Sequence, residues 1–239
     1  MASPKALVGR LLGSLFFRQA TVTAVSEPGP HFRAFTLSGD ALRGVTFGPG
    51  DKVQFFIGDD GMRTYTPVRW DSARGTADFL AYLHGTTPGA RWARELREGD
   101  ACQLFGPRSS LPLTEYTGPV LLVGDETSLA VAQSLALARG GDPGLAFLFE
   151  VSSASEVGAL LPSLGLDAAT VIERRPGAAH LGELADAIAA RLRSHPSSRL
   201  VMTGQAQSIQ ALRAQLGERG QKPSGKNKAY WSVGRVGLD

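Results

Sequence analysis

The chain has 239 residues, 43% hydrophobic and 20% charged, which is enough apolar material for ordinary cores and excludes a disordered tail protein. With a prior of about 150 residues per domain, two modest domains are a better expectation than one large one. The formal charge is only +3, too small an excess for a polyanion-binding stripe, so nucleic acid is not an expected partner.

The single cysteine, Cys102, excludes an intramolecular disulfide and a Cys-based zinc site, and fits a reducing compartment. His31, His84, His180 and His195 lack the i, i+4 spacing that sets two imidazoles on one helix face, so no metal centre is expected.

In chain order, the first feature is the apolar stretch Ala6–Phe17, interrupted by Arg10. It is too short to cross a bilayer and shows no convincing cleavage site. It reads as a short amphipathic helix before the first strand, in a cytoplasmic protein with no stable membrane insertion.

From Ala20 to about Leu113, short apolar or alternating runs follow: Thr21–Val25, Arg33–Leu37, Lys52–Ile57 and Asp78–Leu83. The turn clusters EPGP, FGPGD and GDDG separate them. This spacing predicts an antiparallel sheet closed into a barrel or sandwich. One helix is predicted from Pro88 to about Arg97, with Thr87 as N-cap and Pro88 at the first helical position.

Beyond Gly118 the pattern alternates. Apolar runs at Pro119–Gly124, Leu145–Val151, Ala169–Glu173 and Arg199–Gly204 read as strands, the first buried on both faces. Helices are predicted over Glu126–Arg139, Leu181–Arg193 and Ala206–Glu218. Such alternation predicts parallel βαβ units, a Rossmann-like layer, with the boundary near Glu115–Gly118.

Two segments of the first half can carry chemistry. Arg63-Thr64-Tyr65-Thr66-Pro67 sets a cation, a ring and hydroxyls on an extended segment, a set that suits a flavin: the ring against the isoalloxazine, a hydroxyl at its polar edge, the guanidinium on phosphate. The same residues also read as an ordinary barrel strand with an exposed Arg and a core Tyr. In His84-Gly85-Thr86-Thr87-Pro88-Gly89-Ala90 a capped helix start offers backbone N–H groups to a diphosphate, with glycines that permit close approach.

In the second half, Gly124-Asp125-Glu126-Thr127 stands where a Rossmann domain carries its phosphate-binding turn. It has no GxGxxG, and its two acids repel a diphosphate. Asp125 reads most simply as an N-cap. Glu150 could bond a ribose hydroxyl, and Arg174 or Arg175 could take a 2′-phosphate. Lys222, Lys226, Lys228 and Arg235 form a basic run near the end of the sequence.

Taken together, RTYTPVRWD (63–71), LHGTTPGARWA (83–93), GPRSS (106–110), VGDETSLA (123–130) and AYWSVGR (229–235) resemble the siderophore-interacting proteins, FAD-binding ferric-siderophore reductases within the ferredoxin reductase-like superfamily. The resemblance runs in order over about residues 16–236. It implies a six-stranded antiparallel FAD-binding barrel over 16–116, followed by a Rossmann-like parallel-sheet NAD(P)H-binding domain over 117–239.

It further implies that Arg63, Thr64, Tyr65 and Thr66 contact the flavin and that His84, Gly85, Thr87, Gly89 and Ala90 form the FAD diphosphate loop. Asp125 and Thr127 would belong to the cofactor-facing turn of the second domain, and Tyr230 and Trp231 to an aromatic pair near the flavin. Lys52, Lys222, Lys226 and Lys228 are expected to border the opening for an anionic ferric siderophore. NADH, NADPH or ferredoxin would donate electrons, Fe(II) would be released, and the protein would act as a monomer. Two departures stand out: Gly89-Ala90 replaces a common Ala-Ser, and Gly204-Gln205 replaces a common Gly-Glu. A general FAD-dependent NAD(P)H oxidoreductase, or a non-catalytic binding protein on the same frame, are the alternatives.

Overall fold

The structure is a computed structural model that describes residues 17–234; the expected helix at Ala6–Phe17 falls, except for Phe17, outside the described residues, as does Arg235. The chain divides into two compact units, the first reaching Ser110 and the second running from Leu111, with Pro28–Pro30 grouped with the second.

The first unit holds β1 (Arg18–Gly29), β2 (Phe32–Ser38), β3 (Lys52–Phe56), β4 (Met62–Tyr65), β5 (Pro67–Asp71), β6 (Thr76–Tyr82) and β7 (Ala101–Arg108). They form a 7-stranded sheet in the order β4-β3-β7-β1-β2-β6-β5. Its edge strands, β4 and β5, are neighbours in sequence and only Thr66 stands between them. A sheet whose two edges are joined by one residue has to roll up on itself, so this is a barrel.

The expectation of six strands is corrected to seven. The segment 63–71, which reads as one extended run, changes partner at Thr66. Tyr65 lies opposite Val53 of β3, whereas Pro67 lies opposite Phe79 of β6.

Period-2 alternation directs the core. In β6, Ala77, Phe79 and Ala81 are buried while their neighbours are not, as a half-buried strand requires. Phe79 stacks on Phe35 at 5.0 Å and meets Phe55 edge-on at 5.1 Å; each fully buried Phe contributes about 1.5–3 kcal/mol. Helix α1 (Pro88–Glu95) closes this core with Ala90 and Ala93. Burial pushes the Cys102 thiol up to about 11, with Asp100 adding to the shift, so it behaves as a small core hydrophobe.

The second unit contains β8 (Val120–Gly124), α2 (Leu129–Arg139), β9 (Leu145–Val151), α3 (Ala154–Leu160), β10 (Thr170–Glu173), α4 (His180–Ser194), β11 (Arg199–Gln205), α5 (Ala206–Glu218) and β12 (Gly225–Trp231). All pairs in the sheet β10-β9-β8-β11-β12 are parallel. Every residue of β8 is buried, the signature of a strand covered on both faces. The chain moves from β8 outward to β9 and β10, then returns to β11 on the other side. The C-terminal ends of β8 and β11 therefore form a topological switch point, where open α/β sheets take ligands.

Two elements of the second unit go beyond those read from the sequence. Helix α3 is capped by Ser153, whose Oγ accepts the Glu156 N–H at 3.2 Å. The lysine-rich run 222–228, read as a basic run bordering the opening for an anionic ferric siderophore, partly forms β12, an edge strand parallel to β11; lysines suit an edge because they oppose pairing with a further strand.

Candidate functional site

In the first unit, the end of β4 and the start of α1 come together. Tyr65 Oη donates to the Gly89 carbonyl at 2.9 Å. Its ring meets Phe35 at 6.5 Å and Phe55 at 5.7 Å, both edge-on, and lies 5.6 Å from Trp92. The ring thus packs on the barrel core, and burial holds the phenol well above its ordinary range despite nearby Arg63. Arg63 is half-buried, and its Nη1 donates to the Asp60 and Met62 carbonyls, each at 2.8 Å.

Gly89 is the point of contact. A Cβ there would stand 3.1 Å from Tyr65 Oη and 3.4 Å from Arg63 Cγ, so the missing side chain lets the helix start lie against both. Thr87 caps the helix: its Oγ1 accepts the Ala90 N–H and donates to the His84 carbonyl, both at 3.4 Å. Gly85 holds φ +59, a left-handed conformation that glycine adopts without penalty. The His84 ring stacks on Tyr82 at 6.0 Å. Thr64 is exposed and Thr66 half-buried at the strand crossover. Arg91 reaches Asp60 at 3.4 Å, a half-exposed pair worth about 0–1 kcal/mol.

A capped helix start, a glycine where a Cβ would fill the approach, and an adjacent guanidinium fit an anionic cofactor such as the diphosphate of FAD. Lys52 opens β3 in the same unit, opposite Arg108 in register.

The second unit carries a buried polar cluster at its switch point. Gly124 ends β8 and Gly204 is the last residue but one of β11, both where no side chain fits: a Cβ on Gly124 would stand 2.2 Å from Ser128 Oγ, and one on Gly204 2.4 Å from Asp125 Oδ2. Asp125 is fully buried. Its Oδ1 accepts the Thr127 N–H at 2.9 Å and the Thr127 hydroxyl at 2.5 Å, and its Oδ2 accepts the Trp231 indole N–H at 2.7 Å. Ser128 Oγ accepts from Asp125 N at 3.2 Å and from the Thr203 hydroxyl at 2.7 Å. Burial raises the Asp125 carboxyl to about 6; hydrogen bonds from Thr127 and Trp231 oppose the shift, as does Arg174, whereas Glu126 adds to it.

Glu126 is buried too and is bound by Ser152 N–H at 2.6 Å and Arg174 Nη1 at 2.9 Å. Glu150 and His180 pair at 2.7 Å. Because His180 Nδ1 accepts the Arg175 N–H at 3.2 Å, its proton sits on Nε2 and points at Glu150. Glu150 and Arg174, read from the sequence as ribose and phosphate ligands, are thus bonded to His180 and Glu126, and Arg175 pairs with Glu183. Sequence reasoning missed Ser128, Ser152, His180 and Thr203; only Ser128 left a signal, its D-x-x-S spacing from the N-cap.

The lysines of the basic run have different neighbours. Lys226 binds Glu115 at 3.1 Å; Lys228 lies opposite Thr203 on the edge strand. Lys222 lines a separate cavity of about 320 Å³ with Arg213, Gln221 and Asn227. Tyr230 and Trp231 are half-buried at the end of β12. Among the described residues, no cluster of His, Cys, Asp and Glu could hold a metal ion, and no helix is long and apolar enough to cross a membrane.

A rolled antiparallel sheet with a capped helix, followed by a five-stranded parallel sheet, is the fold of ferredoxin reductase-like flavoprotein modules. The siderophore-interacting protein SipS from Aeromonas hydrophila superposes with TM-score 0.73 at 20% identity, over 92% of this chain and 93% of that one. A siderophore utilization protein from T. fusca gives 0.69 at 23% identity, over 93% and 95%. The flavohem-like FAD/NAD binding domain of a nitric oxide dioxygenase from Vibrio cholerae gives 0.67 at 16% identity, over 91% and 99%.

More particularly, residues 58–111 match the family model of the siderophore-interacting FAD-binding domain, a stretch that contains both Arg63–Thr66 and His84–Ala90. Over 143 residues the chain is 27% identical to the NADPH-dependent ferric-chelate reductase of Escherichia coli K12, a match spanning 50% of this chain and 56% of that protein. The resemblance to the siderophore-interacting proteins read from the sequence is supported by both findings.

Proposed function

We propose that this chain is a flavin-dependent ferric-siderophore reductase of the cytoplasm, active as a monomer, with an NAD(P)H or ferredoxin donor. The observation that carries the reading is the family match over residues 58–111, folded so that Tyr65 fastens Gly89 and Arg63 lies alongside the capped helix start. FAD, when bound, supplies the change from two-electron to one-electron chemistry.

The protein's own residues bind and orient. The α1 N-terminus and Arg63 hold the diphosphate, and the Tyr65–Gly89 bond fixes the helix start before the cofactor arrives. No side chain needs to coordinate iron, which stays on the siderophore oxygens. Ferrous iron has lower charge density than ferric iron, so reduction loosens a hard-oxygen chelate. The reaction balances as one NAD(P)H and two Fe(III) complexes giving NAD(P)⁺, a proton and two Fe(II).

The absorption spectrum of purified protein is the first test: it should show a flavin that is released as FAD. Anaerobic addition of NADH, NADPH or reduced ferredoxin should bleach it, and a ferric tricatecholate should then yield one Fe(II) per electron delivered, two per hydride from a nicotinamide donor, in a chelator assay. Protein that neither carries nor takes up FAD overturns the reading, as does a reduced flavin that leaves the ferric complex untouched.

A further inference from the structure

At the C-terminal ends of β8, β9 and β10, three side chains meet in a way the flavin chemistry does not require. Glu126 Oε1 accepts the Ser152 N–H at 2.6 Å and Arg174 Nη1 at 3.0 Å. The same Nη1 lies 2.9 Å from Glu126 Oε2 and donates to Ser152 Oγ at 2.9 Å. A backbone N–H and a guanidinium converging on one acidic group, with a hydroxyl beside it, make an anion cradle. Its occupant is the chain's own carboxylate, only 4% exposed.

Arg174 offers more than this occupant takes. Its Nε and Nη2 are buried without a hydrogen-bond partner, and the nearest further acid, Asp125 Oδ2, is 3.8 Å from Nη2. The place matters as much as the bonds. In dinucleotide-binding sheets the adenosine ribose lies by the end of the strand that follows the first βα turn, where an acid bonds the 2′-hydroxyl or an Arg takes a 2′-phosphate. Here that strand is β9, Ser152 follows it directly, and Arg174 stands at the end of the neighbouring β10.

We propose that Glu126 fills an anion cradle built by Ser152 and Arg174, and so sets this chain's donor preference towards NADH and against a nucleotide carrying a 2′-phosphate. The proposal rests on the reading of the chain as a reductase with a nicotinamide donor. A 2′-phosphate can reach Arg174 only by displacing Glu126 or by lying against it, with Asp125 adding like charge from the side. A 2′-hydroxyl carries no charge and meets no such conflict.

Binding is measured on the FAD-loaded protein by calorimetry with 2′,5′-ADP and 5′-ADP as probes, and kcat/KM is measured with NADPH and NADH. Glu126→Gln keeps an acceptor for Ser152 but removes the charge. It should tighten 2′,5′-ADP relative to 5′-ADP by about tenfold and shift the NADPH/NADH ratio of kcat/KM in the same sense. Adding Arg174→Gln should cancel both gains. Equal probe preference in wild type and Glu126→Gln overturns the proposal, as does failure of any form to bind 2′,5′-ADP, or a gain that survives loss of Arg174. Failure of the reductase reading is seen separately: wild-type protein reduced chemically with dithionite and freed of the excess would then leave a ferric tricatecholate unreduced, whatever the probes do.

Discussion

Tyr65 shows how one side chain serves two roles that a sequence reading merges. Its ring packs on Phe55 and Trp92, while its hydroxyl holds the Gly89 carbonyl. Tyr65→Ala therefore endangers the barrel as well as the flavin, since truncating a packed aromatic costs about 3–5 kcal/mol. Tyr65→Phe separates the roles. It keeps the packing, lowers stability by about 0.5–1.5 kcal/mol through the lost bond, and should weaken FAD binding because the helix start is no longer pinned. Unchanged FAD affinity in a correctly folded Tyr65→Phe would show that the bond does not organise the cofactor loop. Asp125 makes a second prediction at this scale. Its carboxyl is raised from 3.8 to about 6 by burial, so the folded state binds more protons than the unfolded chain between those values. The protonated form thus carries a stability contribution that is full below about 4 and is lost as pH rises through about 6. Glu126 and Arg174 are the charged groups that act on it. Asp125→Asn should gain stability over wild type as pH rises from about 4 to 7, on the order of 3 kcal/mol at most; urea unfolding at several pH values reads this, and parallel curves would sink it.

At the scale of the element, β12 is held by more than its ladder. The register between β11 and β12 shifts at Gly204/Gln205, and Trp231 bonds the buried Asp125 beyond β11. Removing the indole N–H with Trp231→Phe leaves a buried carboxylate with one donor fewer. Hydrogen bonds to charged groups are worth about 1.5–3 kcal/mol, so the edge strand should open more readily. Amide hydrogen exchange should quicken along Gly225–Trp231, and the Asp125 carboxyl should titrate higher than in wild type, because the lost bond was lowering it. Exchange in β12 equal to wild type would mean that the strand pairing alone secures this edge.

For the whole molecule, the prediction concerns which of the two units the cofactor stabilises. The proposed cofactor contacts, Arg63, Tyr65 and the Thr87–Ala90 turn, all lie in the first unit. A ligand that binds only the folded state stabilises it by about 2.7 kcal/mol when its free concentration is 100 times Kd. Stripping FAD should therefore lower the melting temperature and release exchange protection in β4 and α1, while β8 and β9 keep theirs. Loss of protection centred on β8 and β9 instead would move the flavin site out of the barrel.

The sequence by itself determined whatever near neighbours in the chain decide. The apolar run of β8, the cap at Thr87 before Pro88, the N-cap at Asp125 and the span of α5 at Ala206–Glu218 all follow from local periodicity and capping, and all are present in the fold. Only the tertiary structure decided the partners. Thr66 divides one extended run into two edge strands because β3 and β6 accept its two halves. The lysine-rich run becomes an edge strand because β11 offers it a parallel partner. Tyr65 finds Gly89 at a separation of 24 residues, Arg174 finds Glu126 at 48, and Trp231 finds Asp125 at 106. Helix caps and strand alternation are bonds made within a few residues, so one sequence displays them. A buried carboxylate chooses its donor among groups brought together by folding, and no spacing along the chain records that choice.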